Sequence, residues 1–203
     1  MKKISIVLVI LFAVISELKG QTISVNAFGG YTFDEKLNFD NAYATIRGGS
    51  MWGVSAEGIG PHGGGIELLY QYQSTTAPVS SYSLGQLNPG NDGAVISYLL
   101  LNGIQYFKVI PKIEPYAGLG AGAIFISANS GSSATKFAWD FKGGLKIKAK
   151  HGLAFKVGAQ LLSSLQESGT YYYYYYGHPY AYTGYSTIWQ FSFTGGVTFD
   201  FGR

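Results

Sequence analysis

The sequence predicts an all-β fold, an eight-stranded antiparallel up-and-down transmembrane barrel with its oily side outward. Three observations predict it. Apolar and polar residues alternate with period two along most of the chain, and helical periodicity is absent. The connections between the alternating segments are short and long in turn. The apolar face is crowded with aromatic residues, while the opposite face carries the charges. Composition agrees: charged residues make up 12% of the 203 residues, against about 25% in soluble domains. Aromatics reach 16%, with 17 tyrosines among them. The net charge of +3 is dispersed, which tells against nucleic acid, since that partner needs a clustered basic face. The chain has no cysteine, and so no disulfide frame, thiolate metal site or acylated-cysteine anchor.

The N-terminus predicts export. Lys2 and Lys3 precede an apolar run from Ile4 to Ile15, broken only by Ser5 and ended by Glu17, Lys19 and Gly20. The run is shorter than the roughly 20 residues a spanning helix needs and has the form of a cleaved signal peptide. Residues 1–20 are therefore read as the signal peptide and 21–203 as a single barrel domain.

The alternation defines the strands in order. In the first, Ile23, Val25, Ala27, Tyr31 and Phe33 share one face, and Ser24, Asn26 and Thr32 the other. The second sets Trp52, Val54 and Ala56 against Ser55 and Glu57; the third sets Ile66, Leu68, Tyr70 and Tyr72 against Glu67, Gln71 and Gln73. The fourth, Val95 to Val109, is apolar on both faces. The fifth, Glu114 to Ile126, carries Gly118, Gly120 and Gly122 on the face of Glu114 and Tyr116. In the sixth, Phe137, Trp139, Phe141, Leu145 and Ile147 oppose Asp140, Lys142, Lys146 and Lys148. In the seventh, Leu153, Phe155, Val157 and Leu161 oppose Lys156 and Gln160. The eighth sets Trp189, Phe191, Phe193, Val197, Phe199 and Phe201 against Gln190, Ser192, Thr194, Thr198 and Asp200.

Short links near Gly60–Gly64, Ile110–Lys112 and Lys150–Gly152 alternate with long ones over Asp34–Ala44, Ser74–Asp92 and Ser163–Ser186. The link Asn129–Ala134 is modest. This is the plan of periplasmic turns and extracellular loops, with both termini periplasmic. An eight-stranded barrel has an interior just wide enough for side chains, and the aromatic face would overpack it. That face is therefore expected in lipid and the charged face in the lumen.

Turn centres set the register. Centring one turn on His62 puts Glu57 opposite Glu67, and centring another on His151 puts Lys146 opposite Lys156. Each like-charged pair repels, but the two hairpins stand on opposite walls. The expectation is one ion-paired network across the lumen, built from Glu57, Glu67, Lys146 and Lys156 and extended by Asp140, Lys142, Arg47 and Glu114. Such a network would plug the lumen.

The stretch Ile113-Glu114-Pro115-Tyr116-Ala117-Gly118-Leu119-Gly120-Ala121-Gly122 and the closing Gly196-Val197-Thr198-Phe199-Asp200-Phe201-Gly202-Arg203 give the mature chain a resemblance. It resembles the small outer-membrane β-barrel family of the OmpA and OmpX type. The resemblance implies outer-membrane location and recognition of Phe199 and Phe201 by the barrel-assembly machinery, although the last residue is Arg203 and not an aromatic. It implies no single activity, because the family spans adhesion, envelope integrity and lipid A modification.

The remaining motifs are weighed on their chemistry. The alternate glycines of 118–122 precede no helix, so they read as a thinned strand face and not as a phosphate loop. His62 and His151 fall in short turns and His178 in the last long loop, so they do not converge on a metal. Tyr171, Tyr172, Tyr173, Tyr174, Tyr175 and Tyr176, with Tyr180, offer a surface for a glycan or protein ligand or an anchor at the lipid headgroups. Trp52, Trp139 and Trp189 read as an interfacial girdle. The expected protein is a non-enzymatic monomer without cofactor, in contact with outer-membrane lipid, and with an envelope-structural or surface-interaction role. The alternatives are a lipid-modifying enzyme using His178 and a narrow solute channel.

Overall fold

Period-two segments rich in β-branched and aromatic residues form strands because each strand presents two separable faces, one to lipid and one to the lumen. The computed structural model describes residues 22–38, 42–76, 79–81, 85–86, 93–128, 133–167, 171–175, 178–182 and 185–201. The expected signal peptide at 1–20, Tyr176 and Gly202-Arg203 lie outside the described residues. In chain order the strands are β1 (Thr22–Thr32), β2 (Glu35–Asn38), β3 (Ala42–Ile46), β4 (Gly49–Ile59), β5 (Gly64–Thr76), β6 (Val79–Ser81) and β7 (Gly85–Gln86). There follow β8 (Gly93–Tyr106), β9 (Ile113–Ala128), β10 (Ser133–Lys148), β11 (Leu153–Glu167), β12 (Tyr171–Tyr175), β13 (His178–Tyr182) and β14 (Tyr185–Phe201).

Eight of these close a barrel in the order β1-β14-β11-β10-β9-β8-β5-β4, all neighbours antiparallel. One row of paired residues runs Asp200, Ser24, Glu57, Glu67, Asn102, Gly120, Asp140 and Leu162, and returns to β14 at Gln190. The row thus comes back ten residues from its start. For eight strands that offset tilts each strand about 40° from the barrel axis.

The outward face carries a broad belt of large apolar residues. Leu101 and Phe193 are each 55% exposed and Leu119 is 62% exposed; in water such a belt would be a large liability, and in lipid it is matched to its solvent. Aromatic pairs tie it together, with Trp52 stacked on Tyr72 and Trp139 edge-on to Trp189.

The inward face of β9 explains two segments of unusual composition. Gly122, Gly120 and Gly118 stand directly beside Leu100, Asn102 and Ile104 of β8 and beside Ala138, Asp140 and Lys142 of β10. A narrow lumen cannot hold large side chains on three adjacent strands, so the glycine row gives space to both neighbours. The doubly apolar β8 follows from the same fact. Its inward Ile96, Tyr98 and Leu100 join Ile46, Leu69, Ile124, Ala138 and Leu162 in a buried apolar cluster at the long-loop end of the lumen.

The short turns have local causes. Pro61-His62 follow Gly60, whose carbonyl accepts from the Gly63 N–H at 3.0 Å, and Gly63 then takes φ 87°, the pattern of a turn closed by a left-handed residue. At Lys150–Leu153 both central residues are left-handed, His151 at φ 59° and Gly152 at φ 76°, as a type I′ hairpin turn requires. A histidine there pays the steric cost of the left-handed region. We expect His151→Asn to raise the unfolding free energy by up to about 1 kcal/mol, measured by urea titration in micelles.

Three of the long connections are more ordered than the sequence suggested. β2, β3, β6 and β7 form a four-stranded sheet, and β12 pairs with β13. In the sequence these segments read as loops because they lack an apolar face. Their backbones instead satisfy one another, Tyr171 facing Tyr182 and Tyr173 facing Tyr180, without needing a core.

Candidate functional site in the barrel lumen

The polar lumen is built by inward residues of all eight barrel strands. The structure pairs Glu57 with Glu67 on β4 and β5, and Lys146 with Lys156 on β10 and β11. Each member of these like-charged pairs turns to a partner elsewhere. Lys156 crosses to Glu57, its Nζ 2.6 Å from Oε1. Glu57 is further held by Asn26 Nδ2 at 2.7 Å and by the Tyr106 hydroxyl, which donates to Oε2 at 2.6 Å. Lys142 donates to Glu67, which also accepts from Asn102 Nδ2 at 2.7 Å. Lys146 pairs with Asp200 at 2.7 Å, whose Oδ1 also accepts from Ser24 Oγ at 2.6 Å. Lys148 pairs with Glu114 at 2.6 Å.

Tyrosine rings line this chain of charges. Lys156 lies 4.6 Å from the centroid of Tyr116, and Lys146 lies 5.3 Å from that of Tyr106. The Tyr116 ring in turn lies over glycine positions: a β-carbon on Gly158 would stand 2.5 Å from its hydroxyl and one on Gly144 2.9 Å. Gly144→Val is therefore expected to crowd both the Val157 carbonyl, which such a β-carbon would overlap, and Tyr116, and to lower the unfolding free energy by about 1–3 kcal/mol or more, read by urea titration.

Two of the expected members stand apart. Asp140 is fully buried but makes no ion pair among the described residues; its Oδ2 accepts from Gln160 Nε2 at 2.9 Å. Arg47 is exposed between β3 and β4, outside the lumen, where its backbone N–H donates to the Thr76 carbonyl at 2.9 Å. Sequence reasoning missed Asp200, Asn26 and Tyr106. Asp200 had a signal, since it shares the inward face of the last strand. Tyr106 had none, because β8 is apolar on both faces.

The lumen does not offer a uniform bore. A cavity of about 750 Å³ opens at the short-turn end, lined among others by Lys108, Lys146, Lys148, Lys150, Glu114 and Asp200. Beside Glu67, Lys142 and Lys156 the free space falls to about 40 Å³, and the apolar cluster around Leu100 and Leu162 lies beyond. Of the other singled-out residues, Phe199 and Phe201 point outward, 52% and 56% exposed. His62 and His151 sit in short turns, while His178 begins β13. The backbone of Tyr171 to Tyr175 forms β12, and Tyr180 lies on β13. No group of three His, Cys, Asp or Glu that would hold a metal is found among the described residues.

No protein-family model and no curated protein matches the sequence. Solved structures do. Neisserial surface protein A is 14% identical with a TM-score of 0.56, the match covering 88% of this chain and 97% of that one. The outer membrane protein OprG from Pseudomonas aeruginosa is 14% identical with a TM-score of 0.56, over 91% and 97%. The outer membrane protein AlkL, determined in lipid bilayers, is 14% identical with a TM-score of 0.52, over 91% and 92%. By its fold, the chain is an eight-stranded transmembrane β-barrel of the small outer-membrane type.

Proposed function

We propose that the chain is a non-enzymatic outer-membrane protein whose barrel is an anchor and whose long-loop end is an extracellular interaction surface. The observation that carries this reading is the contrast between the two ends. The middle of the lumen is occupied by paired charges and an apolar cluster, whereas among the described residues further strands gather at the long-loop end, in the four-stranded sheet and the β12–β13 hairpin. In that hairpin the register places Tyr171, Tyr173, Tyr175, Tyr180 and Tyr182 on one face with His178. Tyrosine offers large contact area at low entropic cost and stacks on sugars and proteins alike.

The test replaces residues 171–182 with a Gly-Ser turn. Cells carrying the variant should still yield a barrel whose gel mobility changes on boiling, while adhesion to glycan- or protein-coated surfaces falls at least tenfold. Unchanged adhesion would overturn the reading. A second reading, a narrow channel, is favoured by the 750 Å³ cavity at the short-turn end; it requires stepwise single-channel currents in planar bilayers, which a plugged lumen does not give.

A further inference from the structure

The inward charges do not balance around Asp140. Glu57, Glu67, Glu114 and Asp200 each hold one of Lys156, Lys142, Lys148 and Lys146. Asp140, buried completely, holds none among the described residues. Lys136 stands four residues away on the same strand, about 13 Å along it. The carboxylate is half-engaged: Oδ2 accepts from Gln160, and Oδ1 has no donor among the described residues.

Register brings a second oxygen to the same place. Asn102, Gly120 and Asp140 stand side by side on β8, β9 and β10. Asn102 gives its Nδ2 to the Glu67 carboxylate at 2.7 Å, which fixes the orientation of the amide, because its oxygen would be repelled there. Asn102 Oδ1, on a residue 1% exposed, is thereby turned away from Glu67 and also finds no donor among the described residues. A β-carbon on Gly120 would overlap Asn102 Oδ1 and stand 2.7 Å from Asp140 Oδ1. Both oxygens thus converge on the space the glycine leaves. The nearby donors bond elsewhere, Lys142 to Glu67 and Gln160 Nε2 to the other Asp140 oxygen, and neither makes a hydrogen bond to these two oxygens. Two electron-rich oxygens directed at one buried point repel unless a cation or a shared proton lies between them.

We propose that Asn102, Gly120 and Asp140 form a binding site for one alkali-metal cation, sodium or potassium. A carboxylate and an amide oxygen are hard donors suited to such an ion, and the place lacks the sulfur or imidazole ligands that select transition metals. One unpaired carboxylate calls for one positive charge; a divalent ion would leave a buried excess, which is as unfavourable as the deficit.

The experiment is urea unfolding of the mature chain in detergent micelles at constant ionic strength, with N-methyl-D-glucamine chloride replaced stepwise by sodium or potassium chloride. For one site, the folded-to-unfolded ratio should rise about tenfold for each tenfold increase of the preferred ion above its dissociation constant. Asp140→Asn should abolish that dependence. Superimposable curves in all three salts overturn the proposal; an infrared difference between the wild type and Asp140→Asn showing a protonated carboxyl would then place a proton there instead. A dependence that persists undiminished in Asp140→Asn also overturns it, as a general salt effect. Should that variant fail to fold, Asn102→Ser serves in its place: a weakened dependence supports the site, and an undiminished one overturns it as a general salt effect.

Discussion

Replacing Lys156 by methionine is expected to lower the unfolding free energy by about 3–5 kcal/mol, the usual cost of leaving one member of a buried pair without its partner. Glu57 is the member left behind. Its side chain is fully buried, and Lys156 is its only cationic contact among the described residues. Asn26 and Tyr106 would still donate to it, but neutral donors do not cancel a charge in a place water reaches poorly. The double variant Glu57→Gln with Lys156→Met removes both charges and should recover most of the loss, because a buried pair gives little net stability over neutral residues of similar shape. Urea titration of both variants in phospholipid vesicles reads the difference. A loss under about 1 kcal/mol in the single variant would show that water enters freely and solvates Glu57, and would weaken the account of a plugged lumen.

The neighbouring position reverses the chemistry. Val157 is 47% exposed on the outer face, and we expect Val157→Lys to cost about 2–4 kcal/mol if it lies near the bilayer midplane. A lysine one residue earlier is native and paired, so charge alone does not explain the penalty; the side of the strand does. The measurement is the same titration in vesicles. A variant as stable as the wild type would mean that this face does not meet lipid, and the membrane reading of the apolar belt would fall with it.

Much of this architecture is legible in the residues themselves, for physical reasons that act locally. Strand alternation places Val157 outward and Lys156 inward because side chains of a strand point to opposite faces. The registers Glu57 with Glu67 and Lys146 with Lys156 follow from tight turns at His62 and His151, where the chain reverses within a few residues. What alternation cannot tell is which lysine meets which carboxylate. That depends on the ten-residue offset around the closed barrel, which sets residues of distant strands at one height and is a property of the whole circuit of pairings. The offset carries Lys142 to Glu67 and Lys146 to Asp200, and it leaves Asp140 beside Asn102 and a glycine.

The lumen position of Tyr106, on a strand apolar on both faces, and the space that receives Tyr116 were hidden for a similar reason. The Tyr116 ring lies over Gly144 and Gly158, which leave room for its hydroxyl, and that room is visible only when strands distant in sequence stand together. The sequence by itself determined the strands, their faces and the short turns, since these rest on contacts between residues near one another along the chain. Only the tertiary structure decided the partners across the lumen and the sheets beyond the apolar belt, because closure of the barrel brings together groups whose separation along the chain carries no record of their meeting.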